Sequence, residues 1–207
     1  MSRRGLFITF EGTEGGGKST QARLLAAWLR RQGRRVITLR EPGDTPLGER
    51  LRRLLLSPST GSVSARAEAF LYMAARAQLV DAVIAPALTR SLVVVCDRFL
   101  DATLAYQGYG SGLDVASLRQ LGRVATRGLE PNVTFLLDLP SSAGLRRIAG
   151  PKDRIERRAA AFHERVRRGY LALARQAPRR FCVLDARQDR ATIQRRIRER
   201  LTGWLAR

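Results

Sequence analysis

Leu6-Phe7-Ile8-Thr9-Phe10-Glu11-Gly12-Thr13-Glu14-Gly15-Gly16-Gly17-Lys18-Ser19-Thr20 decides the fold. The apolar run at residues 6–10 reads as a strand buried on both faces, and it stops at a glycine-rich turn that opens a helical pattern. From Gly12 to Ser19 the turn satisfies G-x-x-x-x-G-K-[ST], in the strand-to-helix context which that pattern requires. Glycines let successive N–H groups face one concavity, where they and the helix N-terminus hold phosphate. Lys18 is then placed to reach the β- and γ-phosphates of a nucleoside triphosphate and Ser19 to coordinate Mg2+, with Gly12, Thr13, Glu14, Gly15, Gly16, Gly17 and Thr20 completing the nucleotide site.

Working outward, short apolar runs alternate with longer helical patterns. Strands are expected at residues 6–10, 35–39, 92–96, 133–137 and 181–184. Helices are expected at 18–32, 45–56, 65–88, 113–127, 141–148, 155–176 and 190–204. This alternation predicts an α/β fold of the doubly wound type, with a five-stranded parallel sheet covered by helices on both faces. No repeat or linker divides the chain, so residues 1–207 are expected to form a single domain. Residues 57–64, rich in Ser and Gly, and 149–153, with Gly150-Pro151, read as mobile connections.

Composition narrows the class. With 44% hydrophobic and 27% charged residues the chain is a packed globular protein, neither disordered nor a fibre nor a disulfide scaffold. Cys96 and Cys182 lie in apolar runs and read as buried thiols. Arg3 and Arg4 precede an apolar run cut short by Glu11, so no signal peptide is visible and a cytoplasmic location is expected, without a membrane partner. The formal charge of +20 points to anionic partners, yet all but two of the 38 basic residues are arginine and Asn132 is the only asparagine. G/C-rich codon usage is a competing source of that excess. A nucleic-acid binder would gather its basic residues on one stripe beside stacking aromatics. Here arginines are spread along nearly every helix and aromatics make up 6%, so nucleic acid is not the expected partner.

The phosphate loop leaves the reaction open among GTPases, motor ATPases and small-molecule kinases. A guanine-reading Asn-Lys-x-Asp motif is absent, because Asn132 is followed by Val133. A kinase needs a second cationic site. The run Val93-Val94-Val95-Cys96 ends in Asp97-Arg98-Phe99, which puts a carboxylate where Mg2+ is held in doubly wound sheets and a guanidinium suited to phosphate beside it.

Phe10-Glu11-Gly12-Thr13-Glu14-Gly15, Arg40-Glu41-Pro42-Gly43, Ala74-Ala75-Arg76, Asp97-Arg98-Phe99, Ala105-Tyr106-Gln107-Gly108 and Asp153-Arg154-Ile155-Glu156 together resemble the thymidylate kinase family, in order over about three quarters of the chain. The resemblance implies a nucleoside monophosphate kinase that uses Mg2+ to move phosphate from ATP to dTMP, giving dTDP and ADP on the way to dTTP, commonly as a homodimer. It implies that Tyr72 and Arg76, stacked four apart on a helix, sandwich and read the base. It assigns Thr103 and Gln107 to base recognition, Tyr106 to the underside of the sugar, Arg52 and Arg98 to the acceptor phosphate, and Glu14 to the acceptor sugar or, through water, to Mg2+. Two departures stand out: Asp44 replaces the usual Gly after Arg-Glu-Pro-Gly, and Ala102 replaces a Ser.

Phosphoryl transfer depends on positioning and charge neutralisation. The family supplies an extra arginine from the phosphate loop or from a lid, and the loop here has none. The lid is expected at about residues 149–154, with Arg154 closing over ATP as a catalytic residue beside Lys18 and Arg98, and with Arg146, Arg147 or Lys152 as possible contributors. Asp153 and Glu156 have capping-box spacing at the expected start of the 155–176 helix. His163, between arginines on that helix, is expected to be exposed.

Overall fold

The computed structural model describes residues 5–205, and Arg3 and Arg4 lie outside that range. Five parallel strands, β1 (Leu6–Glu11), β2 (Val36–Arg40), β3 (Val93–Asp97), β4 (Val133–Asp138) and β5 (Phe181–Asp185), form one sheet in the order β2-β3-β1-β4-β5. Nine α-helical segments are described: α1 (Lys18–Arg31), α2 (Pro46–Leu56), α3 (Ala65–Leu79), α4 (Ala85–Thr89), α5 (Leu100–Thr103), α6 (Val115–Thr126), α7 (Ser141–Arg146), α8 (Ala160–Gln176) and α9 (Arg190–Leu205). The sheet is the five-stranded, all-parallel α/β arrangement that the sequence predicts, with a phosphate loop after its central strand.

β1 is central because it pairs on both sides, Leu6 opposite Val93 and Ile8 opposite Val133, and all six of its residues are buried. That double burial explains its unbroken apolar run. Its side chains still alternate between faces. Ile8 and Phe10 pack with Leu25 and Leu29 of α1 and Ile193 and Ile197 of α9, whereas Phe7 packs with Leu79, Ile84 and Phe99. The chain leaves β1 toward β2 at one edge and later crosses from β3 past β1 to β4 on the other side, so the crevice at the carboxyl ends of β1 and β3 is the natural ligand site.

Two expected helices differ in detail, the first in an internal turn and the second in where it starts. The pattern at 65–88 becomes α3, a π turn at Val80–Ile84 and α4, one continuous helix Ala65–Thr89. The widened turn comes where Pro86 withdraws a backbone donor. By length and mean hydropathy (1.3) this helix would suffice to cross a membrane, but it carries the buried Glu68 and Arg76. The expected helix 155–176 begins only at Ala160. Asp153 and Glu156 do form the reciprocal cap, Asp153 N donating to Glu156 Oε2 at 3.0 Å and Glu156 N to Asp153 Oδ1 at 2.9 Å. They close a single turn, after which Ala159 becomes extended and restarts the chain as α8. Cys96 is buried as expected, whereas Cys182 on the edge strand β5 is only partly so.

Asn132 joins the start of β4 to β1: its Oδ1 accepts from Phe7 N at 2.7 Å and its own N–H donates to Phe7 O at 2.8 Å. Asn132→Ala leaves the Phe7 N–H, inside the sheet, without a partner. It is expected to lower stability by about 1–3 kcal/mol, read as a reduced urea midpoint at unchanged slope.

Candidate active site

β1 runs directly into the phosphate loop. Gly12 and Gly15 have φ of +134° and +68°, and a Cβ on Gly15 would lie 2.2 Å from Gly144 O in α7. Gly17, also left-handed, precedes the first turn of α1, so the helix N-terminus faces the loop. Lys18 lies over the loop with Nζ donating to Thr13 O at 2.7 Å. Burial, with Arg98 beside it, pulls its ammonium down to about 8, an electrostatic cost that a polyphosphate in the loop would relieve.

At the end of β3, Asp97 accepts a hydrogen bond from the Ser19 hydroxyl, so the two expected metal ligands are side by side. No group of three or more His, Cys, Asp or Glu able to hold a metal occurs among the described residues. One hydroxyl and one carboxylate are a donor set that suits Mg2+, a hard cation that keeps water and takes phosphate oxygens for its remaining positions.

Arg98 departs from regular backbone, with φ of +72°, a rare conformation for a residue with a side chain. Its N–H donates to Phe10 O at 2.9 Å, and its guanidinium reaches Gly12 O at 3.0 Å, Tyr170 Oη at 3.2 Å and Glu14 Oε1 at 3.3 Å. The same guanidinium lies 5.0 Å from the centroid of the Tyr106 ring.

A cleft of about 310 Å³ opens from this point, lined by Lys18, Ser19, Asp97, Arg98, Arg52, Tyr72, Thr103, Tyr106 and Gln107. Most of the expected nucleotide and acceptor residues therefore meet in one space. Tyr72 and Arg76 both come from α3, four residues apart. Arg76 is 1% exposed and fixed by Glu41 Oε2 at 2.8 Å, Phe99 O at 3.0 Å and Thr103 Oγ1 at 3.1 Å. Burial pushes Glu41 up to about 7 even with Arg76 opposing it. Burial, reinforced by Glu68, likewise pushes the Tyr72 phenol up to about 12, so it stays neutral. Arg52 donates to Pro42 O at 3.0 Å. Asp44 takes φ of +56°, the left-handed geometry that Gly would supply, and turns its carboxylate back to Arg40 N at 2.6 Å. Ala102 lines the cleft without a polar group.

Glu14 accepts from the Tyr106 hydroxyl and from Arg98, and His163 Nδ1 stands 3.4 Å from its other oxygen. Burial alone would raise its carboxyl, but His163, Arg98, Lys18 and Tyr106 together hold it far below the ordinary range. His163 is 0% exposed, contrary to expectation: α8 turns it onto the phosphate loop instead of toward solvent. Arg154 is also placed differently from the expectation. Its Nε donates to Leu55 O at 2.8 Å and its Nη1 to Glu68 Oε1 at 2.6 Å, so it rests on α3 and the end of α2, not over the phosphate loop. The cause is Glu68, a wholly buried carboxylate within reach of the 153–157 turn. Arg147 donates to Ala186 O at 3.2 Å, while Arg146 and Lys152 are exposed.

Glu11, Glu41, Glu68 and Tyr170 carry site geometry that sequence reasoning did not assign. Glu11 and Glu41 stood inside quoted motifs, and a carboxylate in an apolar strand end is itself a signal of a buried partner. Tyr170 belongs to no quoted motif and falls only within the expected helix 155–176.

The sequence model of the family described as thymidylate kinase matches residues 10–197. A thymidylate kinase of Cutibacterium acnes is 51% identical over 98% of this chain and 99% of its own length. That of Desulfovibrio desulfuricans is 49% identical over 98% and 97%. The crystal structure of a thymidylate kinase from Ehrlichia chaffeensis superposes with a TM-score of 0.78 at 31% identity, covering 96% of this chain and 99% of that one.

Burial, with Asp101 adding to it, raises Glu11 from 4.5 to about 8 against the lowering effects of Arg98, Tyr170 and the Phe99 N–H. The folded protein then binds a proton that the unfolded chain releases above 4.5, so this group's contribution is full below that pH and is lost as pH rises through 8. Wild type is expected to lose stability between pH 5 and 8 relative to Glu11→Gln, in paired urea titrations.

Proposed function

Because the chain belongs to the thymidylate kinase family, and is a nucleoside monophosphate kinase that phosphorylates dTMP, we propose the following roles in its cleft. ATP binds with its phosphates in the loop 12–20, under Lys18 and the N-terminus of α1. The acceptor dTMP lies in the space between Tyr72, Arg76, Thr103, Tyr106 and Gln107, with its phosphate on Arg52 and Arg98. The observation that carries this reading is Arg98, whose guanidinium touches the phosphate-loop backbone at Gly12 and also faces the acceptor cleft.

An acceptor phosphate oxygen attacks the γ-phosphorus in line, and the bond to the β–γ bridging oxygen breaks, leaving ADP. Lys18 and Arg98 neutralise the charge spread over the moving group. Ser19 and Asp97 would hold Mg2+, which supplies further charge neutralisation on the phosphates when bound. Glu14, kept ionised, is suited to accept a hydrogen bond from the sugar 3′-hydroxyl, and the Tyr106 ring fills space that a 2′-hydroxyl would need. Arg154 is the third cation of the proposal. Reaching the transferring group requires it to exchange Glu68 for phosphate as the lid segment at about 149–154 closes within the single domain 1–207.

A homodimer is part of the same reading. The helix Ala65–Thr89 is apolar yet only 39% buried over its most apolar window, and Phe70 is 60% exposed on it, next to α2 with its exposed Leu47 and Leu54. A second copy covering this face would remove that apolar surface from water. Free thiols at Cys96 and Cys182 accord with a reducing cytoplasm.

Coupled turnover with dTMP, dUMP, dGMP and AMP tests the acceptor: dTMP is expected to be preferred, and preference for a purine overturns the reading. Arg154→Ala is expected to lower kcat by roughly 10³-fold or more. A change confined to the KM for dTMP would instead assign Arg154 permanently to Glu68. Phe70→Glu is expected to shift the protein from dimer to monomer in sedimentation.

A further inference from the structure

Glu68 lies in the first turn of α3 with no solvent exposure, and side chains from two distant segments converge on it. Arg154 Nη1 donates to Oε1 at 2.6 Å, and Arg158 Nη2 donates to the same oxygen. Gln107 Nε2 donates to Oε2 at 3.1 Å. Arg158 is itself braced by Ser111 Oγ at 3.1 Å and lies 4.5 Å from the centroid of the Phe162 ring.

A carboxylate facing two guanidiniums accepts hydrogen bonds and has none to give. The amide of Gln107 must therefore turn its nitrogen toward Glu68, which leaves its oxygen free to serve the cleft that Gln107 lines. Pyrimidines differ at the atoms this oxygen would meet. Thymine and uracil carry an N–H at N3 and a carbonyl at C4, whereas cytosine carries a bare acceptor at N3 and an amine at C4. An amide oxygen accepts from the first and opposes the lone pair of the second.

We propose that Glu68 is a specificity-determining positioning residue: by fixing the amide polarity of Gln107 it makes the cleft accept an N3–H and so select keto pyrimidines over cytosine. The inference rests on the placement of the acceptor base beside Gln107. Two arginines on Glu68 also keep it anchored when Arg154 leaves for the phosphoryl group, because Arg158 stays. Reading of the base is thereby tied to the 153–158 segment that lies across the acceptor end of the cleft.

The test compares kcat/KM for dTMP and dCMP in wild type, Glu68→Gln and Gln107→Leu, alongside melting temperatures and the KM for ATP. Glutamine at 68 offers both a donor and an acceptor, so Gln107 is free to turn round. Its dTMP-to-dCMP preference is expected to fall at least about tenfold, mainly through the KM for dTMP, with the KM for ATP within twofold. Glu68→Asp, which keeps an acceptor-only group, is expected to restore much of the preference. If folded Glu68→Gln keeps the wild-type ratio while Gln107→Leu loses it, the role of Glu68 is overturned and the base site stands. If Gln107→Leu keeps the ratio too, the base placement itself falls. Should Glu68→Gln not fold, NMR of the wild-type dTMP complex decides: Gln107 side-chain amide protons protected from exchange support the proposal, and exchange as fast as in free glutamine overturns it.

Discussion

Arg98 is the residue on which the rest of the site depends. Its backbone sits in a left-handed conformation directly after β3, tied to β1 through Phe10 O, and that bend throws its guanidinium across to Gly12, Glu14 and Tyr170. Central strand, phosphate loop and α8 are thus registered by one side chain. The local cost of the backbone, of order 1–3 kcal/mol, is borne where the surrounding sheet over-determines it, and what it gives is position.

The same principle recurs wherever a carboxylate is buried. Arg76 meets Glu41, Arg154 and Arg158 meet Glu68, and Arg180 meets Asp101. Buried ion pairs add little net stability, because desolvation offsets most of the attraction, but losing one partner leaves an uncompensated charge. Each pair is therefore stiff. A formal charge of +20 conceals this arrangement: the few acidic residues are concentrated where they orient arginines, and most of the surplus cations are elsewhere on the surface.

How far the sequence reveals this follows from the range of the forces involved. The sheet was legible because burial on both faces writes an unbroken apolar run, as in β1, and the phosphate loop because its backbone needs glycine at fixed spacing. Tyr72 and Arg76 were legible through helical spacing and family resemblance, and Thr103, Tyr106 and Gln107 through the resemblance. The partners that aim them were not: Glu41 and Glu68 lie 35 and 39 residues from the groups they fix, Arg76 and Gln107 respectively. His163 was misjudged because neighbouring charges in sequence describe its helix and not what the helix is packed against. Arg154 was misplaced for a related reason, since the cap that should have started a helix closes one turn and leaves the side chain beside a distant carboxylate.

The backbone contact between Gly15 and Gly144 constrains the sequence of the loop. A side chain on Gly15 would collide with Gly144 O at 2.2 Å, and one on Gly144 would collide with Glu14 O at the same distance. Position 15 of the loop is therefore closed to any side chain, a cationic one included, for as long as α7 keeps its place, and what reserves it for glycine is backbone packing against a neighbouring element and not the chemistry of phosphate.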